Sequence, residues 1–172
     1  MKLEAVELIR LNVPLKSAFR TSFSSVSTHE VVWVHVVTDE GEGWAECGAN
    51  DRPDYSSEYH SGAMNVLREF MLPDLFRLGA DLTAQSVAPT LHWIKQHRMA
   101  KAAIETALLD AQLRGSKTSF ASFFGATKDK VPAGVSVGIM DSLPELIGFV
   151  ESYLNEGYVR IKLKIEPGWD YE

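Results

Sequence analysis

Between Val131 and Gly168 the chain reads strand, helix, strand, and few short patterns restrict a fold more tightly. VPAGVSVGI (131–139) is small and apolar. Ser142 is placed to cap a helix over LPELIGFVESYLNEG (143–157), with Pro144 in its first turn. In YVRIKLKIEPG (158–168), Ile161, Leu163 and Ile165 alternate with Arg160, Lys162 and Lys164, so the two sets leave opposite faces of a strand. Two strands joined through one helix run parallel with a right-handed crossover. A parallel sheet needs cover on both faces, and a single helix covers one. The chain then reaches WDYE, where Trp169 followed by Asp170 has the look of the entry to another helix. The unit is therefore expected to be the opening of a larger β/α sheet, completed by another chain or by more of its own. Truncation is the favoured reading.

The preceding residues follow other rules. Residues 2–13 alternate as a strand, with Leu3, Ala5, Ile9, Leu11 and Val13 on one side. SAFRTSFSSVST (17–28) has no helical periodicity and reads as an exposed polar loop. EVVWVHVVT (30–38) is a buried strand, and the DEGEG turn joins it to GWAEC (43–47) as a hairpin. A second polar loop covers 48–57. The period then becomes helical over 57–70, over 83–96 with Thr83 as N-cap, and most clearly over the Ala-rich stretch 98–114. Gly115 is expected to cap that last helix, and a short one follows around 118–124. The expected fold class is an α+β domain, a three-stranded antiparallel meander plus helices, over residues 1–126. Residues 127–172 are the strand–helix–strand unit.

Composition excludes some functions. The 172 residues carry a net charge of −6, and no run of five basic residues occurs. A duplex-binding or membrane-surface role needs a clustered basic patch, so neither nucleic acid nor membrane is an expected partner. The apolar N-terminal stretch contains acidic residues, unlike a signal peptide, and no apolar run approaches the roughly 20 residues of a membrane span. The single cysteine, Cys47, rules out an intramolecular disulfide and a cysteine-based zinc site. It fits a reducing, cytoplasmic setting and packs as a small hydrophobe. The histidines at 29, 35, 60, 92 and 97 show no metal-ligand spacing, and His35 reads as a core or edge residue. Glu105 and Asp110 are expected to pair along the 98–114 helix with Arg98, Lys101 or Arg114.

Lys162 and Lys164 remain. Two ammonium groups side by side on one strand face are either a solvated edge or a proton-transfer site, and the alternation alone leaves both open. The wider sequence narrows the choice. FRTSF (19–23), YSSEY (55–59), HRMAKAAIETALLDAQLR (97–114), VSVGIMD (135–141) and GYVRIKLKIEPGWD (157–170) resemble the enolase superfamily along the whole chain. Within it they are most similar to the branch of o-succinylbenzoate synthases and N-acylamino acid (N-succinylamino acid) racemases.

The resemblance implies an enolase-like N-terminal capping domain followed by the first βαβ unit of an incomplete (β/α) barrel. A whole barrel takes about 250 residues. It implies a small carboxylate substrate whose α-proton is abstracted, with Lys164 as acid/base and Lys162 beside it. The outcome is dehydration to o-succinylbenzoate for menaquinone biosynthesis, or racemisation. Burial in a barrel and a like charge next door both disfavour an ammonium, which is how a lysine becomes a base near neutrality. Tyr55 on the 48–57 loop and Ser136 on the first barrel strand are the substrate contacts the resemblance implies; on the 17–28 loop Phe19 and Phe23 flank Arg20, and such aromatics either close with it over an apolar part of the substrate or anchor the loop to the sheet. The cofactor implied is Mg²⁺ or Mn²⁺, its acidic ligands expected beyond residue 172. On this reading the chain alone is inactive and needs the missing barrel half or its own oligomer. The alternatives are a non-catalytic fragment or split-subunit module, and a free-standing ligand-binding α+β domain.

Overall fold

The computed structural model describes residues 1–169, so the helix entry expected at Trp169–Asp170 lies partly outside the described residues. The chain divides into two compact units, residues 1–12 with 30–126, and 13–29 with 127–172.

A three-stranded antiparallel sheet in the order β1–β2–β3 organises the first unit, with residues 13–20 of its first strand and 25–29 of its second counted in the second unit: β1 (Leu3–Arg20), β2 (Ser25–Thr38) and β3 (Gly41–Cys47). In β2 the period of two sends Val32, Val34 and Val36 into the core, all fully buried, while Trp33 leaves the other face 40% exposed. The β2–β3 register pairs Val32 with Cys47, His35 with Trp44 and Thr38 with Gly41. Thr38 Oγ1 closes the hairpin turn by accepting from the amides of Glu40 and Gly41.

Behind the sheet lie α1 (His60–Val66), a π-helical stretch Leu67–Met71, α2 (Leu72–Arg77), α3 (Ala84–Thr90), α4 (Arg98–Gly115) and the single turn α5 (Phe120–Phe123). The helical period over 57–70 thus opens only at His60, and it carries on through α2. Thr83 caps α3 as expected, in a capping box with Ser86.

Helix α4 carries a stripe of small side chains, Ala100, Ala103, Ala107 and Ala111, all buried. That stripe lets the helix come down on β3 until Gly43 all but touches its backbone. A Cβ built on Gly43 would lie 2.1 Å from the Ala107 carbonyl oxygen and 2.3 Å from the Ala111 nitrogen. Asp110 serves the same contact, accepting from the Trp44 amide at 2.9 Å and from Arg114 Nε at 2.8 Å.

Gly115 is not the cap expected of it. It is the last residue of α4, because a Cβ there would meet the Glu40 carbonyl oxygen at 2.9 Å, and the left-handed residue past the helix is Lys117. At the other end His97 occupies the N-cap position in a left-handed conformation and caps nothing. Glu58 does so instead: its carboxylate accepts from the Met99 amide at 3.0 Å and the Ala100 amide at 3.2 Å.

The second unit pairs β4 (Val135–Val137) with β5 (Ile161–Leu163) in parallel, joined by α6 (Leu143–Asn155). Ser142 caps α6 through its hydroxyl, and Pro144 stands in the first turn. Both strands are shorter than their sequence patterns. The outer aliphatics Leu163 and Ile165 are 44% and 55% exposed, and Ile147 on α6 is 55% exposed.

The segment 17–28, expected as a loop, is strand and turn. β1 runs on to Arg20 and β2 begins at Ser25, leaving a turn of four residues. The Thr21 amide donates to the Ser24 carbonyl at 2.8 Å, and the two hydroxyls lie 3.0 Å apart. Serine and threonine supply the turn's own hydrogen bonds, so the run needs no apolar alternation to be ordered.

Candidate active site

In the second unit β4 and β5 bring the lysines to one sheet face. Ser136 stands directly opposite Lys162, and both are exposed. They line an open depression with Gly134 and Arg160. The Lys164 amide donates to the Val137 carbonyl at 3.0 Å, so the parallel ladder extends one step past β5. With a period of two, Lys164 follows Lys162 on that face.

The hairpin tip of the same unit supplies the other side. Lys164 Nζ stands over the Phe19 ring, 5.9 Å from its centroid and within cation–π reach. The Ile139 amide donates to the Arg20 carbonyl at 3.0 Å, which seats the end of β1 beside the end of β4. The seat is close: a Cβ on Gly138 would be 3.1 Å from both the nitrogen and the oxygen of Arg20. Arg20 spreads its guanidinium between two carboxylates, Nη1 to Asp141 Oδ1 at 2.8 Å and Nη2 to Glu166 Oε1 at 2.9 Å. Phe19, Arg20, Ser136, Lys162 and Lys164 are thus gathered in one unit. Phe23 lies in the turn of the hairpin, 61% exposed. Tyr55 belongs to the first unit, 74% exposed on the 48–57 stretch.

Asp141 and Glu166 were not singled out from sequence. A signal existed: each carboxylate follows closely on the C-terminal end of a parallel strand, where sites in α/β folds gather.

Among the described residues no three His, Cys, Asp or Glu side chains converge on a position that could hold a metal ion. Asp141 and Glu166 are both engaged by one guanidinium, so this donor set does not fit a divalent cation. Cys47, the last residue of β3, is buried in the first unit's core, and that burial pushes its thiol pKa up, opposite to what a nucleophile needs. Both ring nitrogens of His35 face carboxylates, Nδ1 at 2.7 Å from Glu7 and Nε2 at 3.2 Å from Glu42. Carboxylates only accept, so both bonds exist together only with the imidazolium, and the Glu7 bond above all raises the His35 pKa. Among the described residues no helix is long and apolar enough to cross a membrane.

A three-stranded antiparallel sheet backed by helices, followed by a parallel β/α start, is an enolase N-terminal-like architecture. The chain belongs to the mandelate racemase / muconate lactonizing enzyme N-terminal domain family, which matches residues 5–125. It is 54% identical over 172 residues to an N-succinylamino acid racemase of Amycolatopsis, covering 100% of this chain and 46% of that one. It is 34% identical to an o-succinylbenzoate synthase of Enterococcus faecalis, covering 100% of this chain and 47% of the relative. A solved enolase superfamily member from Listeria innocua superimposes with a TM-score of 0.89 at 32% identity, over 99% of this chain and 46% of that one. The chain therefore spans somewhat less than half the length of the relatives it matches.

Proposed function

We propose that this chain is the N-terminal part of an enzyme that removes the proton α to a carboxylate, acting as an N-succinylamino acid racemase, an o-succinylbenzoate synthase, or both. The observation that carries the reading is the pair Lys162, on β5, and Lys164, one step past its end on the same face, in a chain 54% identical along its length to such a racemase. Lys164 takes the α-proton at Nζ. Lys162 adds a second positive charge beside the carbanion as it forms. Phe19 keeps water from Lys164 Nζ, and Ser136 and Phe23 contact the substrate. Metal dependence belongs to the same proposal, with the Mg²⁺ or Mn²⁺ held by residues outside these 172.

The test is solvent exchange of the α-proton, followed by NMR in D₂O with an N-succinylamino acid and Mg²⁺. The whole protein, purified from its source and sized by intact mass, is expected to exchange. Its Lys164→Ala variant should lose exchange by at least 10³-fold, the upper range for a positioned acid/base group. The 172-residue chain alone should give none. Undiminished exchange in the Lys164→Ala variant refutes the assignment, and enzyme-like exchange by the short chain refutes the need for the remaining barrel. A natural mass close to that of 172 residues favours the split-subunit reading.

A further inference from the structure

We infer that Arg20 is a positioning residue, a two-carboxylate latch that seats the hairpin tip on the ends of β4 and β5 and so holds Phe19 against Lys164. The inference rests on the reading of Lys164 as proton acceptor. It departs from the expectation that Arg20 binds the substrate.

The geometry argues for the latch in three ways. Both Nη groups are engaged, one by Asp141 and one by Glu166, in charge-assisted bonds of 2.8 and 2.9 Å, so two carboxylates already face the one positive charge. A substrate carboxylate at the same guanidinium would stand beside two like charges with only one positive charge among the three. The backbone of the same residue is bonded too, its carbonyl accepting from Ile139, so Arg20 is held at both ends. Its neighbour Phe19 is the ring under Lys164 Nζ. One residue therefore couples the loop ends after both barrel strands to the aromatic group beside the proposed base.

The two arms are unequal. The Asp141 side chain is 89% exposed and the Glu166 side chain 26%, so solvent and salt screen the first far more than the second. Glu166 is the arm that holds.

The test uses the whole protein with Arg20→Met, Arg20→Lys, Glu166→Gln, Asp141→Asn/Glu166→Gln, and the triple variant. Amide hydrogen exchange without substrate is read at Ile139 and through residues 13–29, alongside kcat and KM. Arg20→Met and Glu166→Gln should each speed exchange at the Ile139 amide and lower kcat/KM by about tenfold, a modest fraction of what a 1 Å misplacement can cost. The loss should be non-additive, so Arg20→Met adds little once both carboxylates are neutral. Arg20→Lys should restore part of both readouts, because an ammonium can satisfy one arm. If Arg20→Met leaves Ile139 exchange unchanged, or costs the same in kcat/KM with the carboxylates neutralised as with them intact, the latch is wrong and Arg20 acts on the substrate. If the whole protein shows no turnover, the proposed function fails, and hydrogen exchange alone still decides the latch.

Discussion

Replacing Gly43 by alanine adds one methyl group where the structure has no room for it. The new Cβ would lie 2.1 Å from the Ala107 carbonyl oxygen, 2.3 Å from the Ala111 nitrogen and 2.9 Å from the Ala111 Cβ. Two of those atoms are helix backbone, so no rotamer change relieves the clash. Helix α4 must back away from β3 by roughly 1 Å, and a gap of that size forfeits up to half of each contact's attraction along the seam. Overpacking typically costs about 1–3 kcal/mol, and an immovable neighbour places Gly43→Ala at about 3 kcal/mol. With a urea m-value of about 2 kcal/mol/M the unfolding midpoint falls by about 1.5 M. Tryptophan fluorescence reports the transition, since Trp33 and Trp44 lie on this sheet. Gly48→Ala is the control: nothing lies within 4 Å of a Cβ there, and its effect should stay within about 0.5 kcal/mol. A Gly43→Ala protein as stable as the control would refute the close-approach argument.

Two further perturbations test the first unit. Glu58→Ala removes the carboxylate that caps α4 from outside the helix, and charge-assisted bonds to amides at a helix N-terminus put the loss at about 1.5–3 kcal/mol. Glu58→Gln should recover part of it, and equal losses for both in urea unfolding would remove the charge from the explanation. His35 has a raised pKa, so its contribution is full below the unfolded value of about 6.5 and is lost as pH rises through the folded value. The His35 ring should titrate by NMR above an unfolded histidine, and Glu7→Gln should bring it down; a ring titrating at or below the unfolded value would contradict the two-carboxylate contact.

Much of the fold was legible because its signals are local. Thr83 and Ser142 announce caps that the helices use, the DEGEG turn joins β2 to β3, and the small-residue stripe of α4 declares a face that packs closely. What escaped carries no such pattern. The 17–28 segment lacks apolar alternation and so reads as a loop, yet the pairing of β1 with β2 and the hydrogen bonds of its own turn order it. Gly115 resembles a cap by composition, and only the approach of Glu40 shows that it is there for lack of a side chain. The lysine pair could be read from a period of two, whereas the partners of Arg20 lie 121 and 146 residues away. No window of sequence spans such a contact.

That separation has a consequence for how the protein is made. Val13–His29 shares a unit with a segment that begins only at Thr127. At about 5–20 residues per second, a delay of roughly a hundred residues leaves the finished hairpin waiting on the order of 5–20 seconds before its partners leave the ribosome. Through that interval Arg20 has neither Asp141 nor Glu166. A strand pair held open so long invites capture by other nascent chains, and apolar windows without charge are the most exposed to it. The run SAFRTSFSSVST breaks up its aromatics with serine, threonine and one arginine, whereas the adjoining EVVWVHVVT, which has the rest of the first unit to fold against sooner, does not. The hairpin's polarity thus suits the order in which the chain is synthesised, and substitutions that make it more apolar should lower the yield of folded protein.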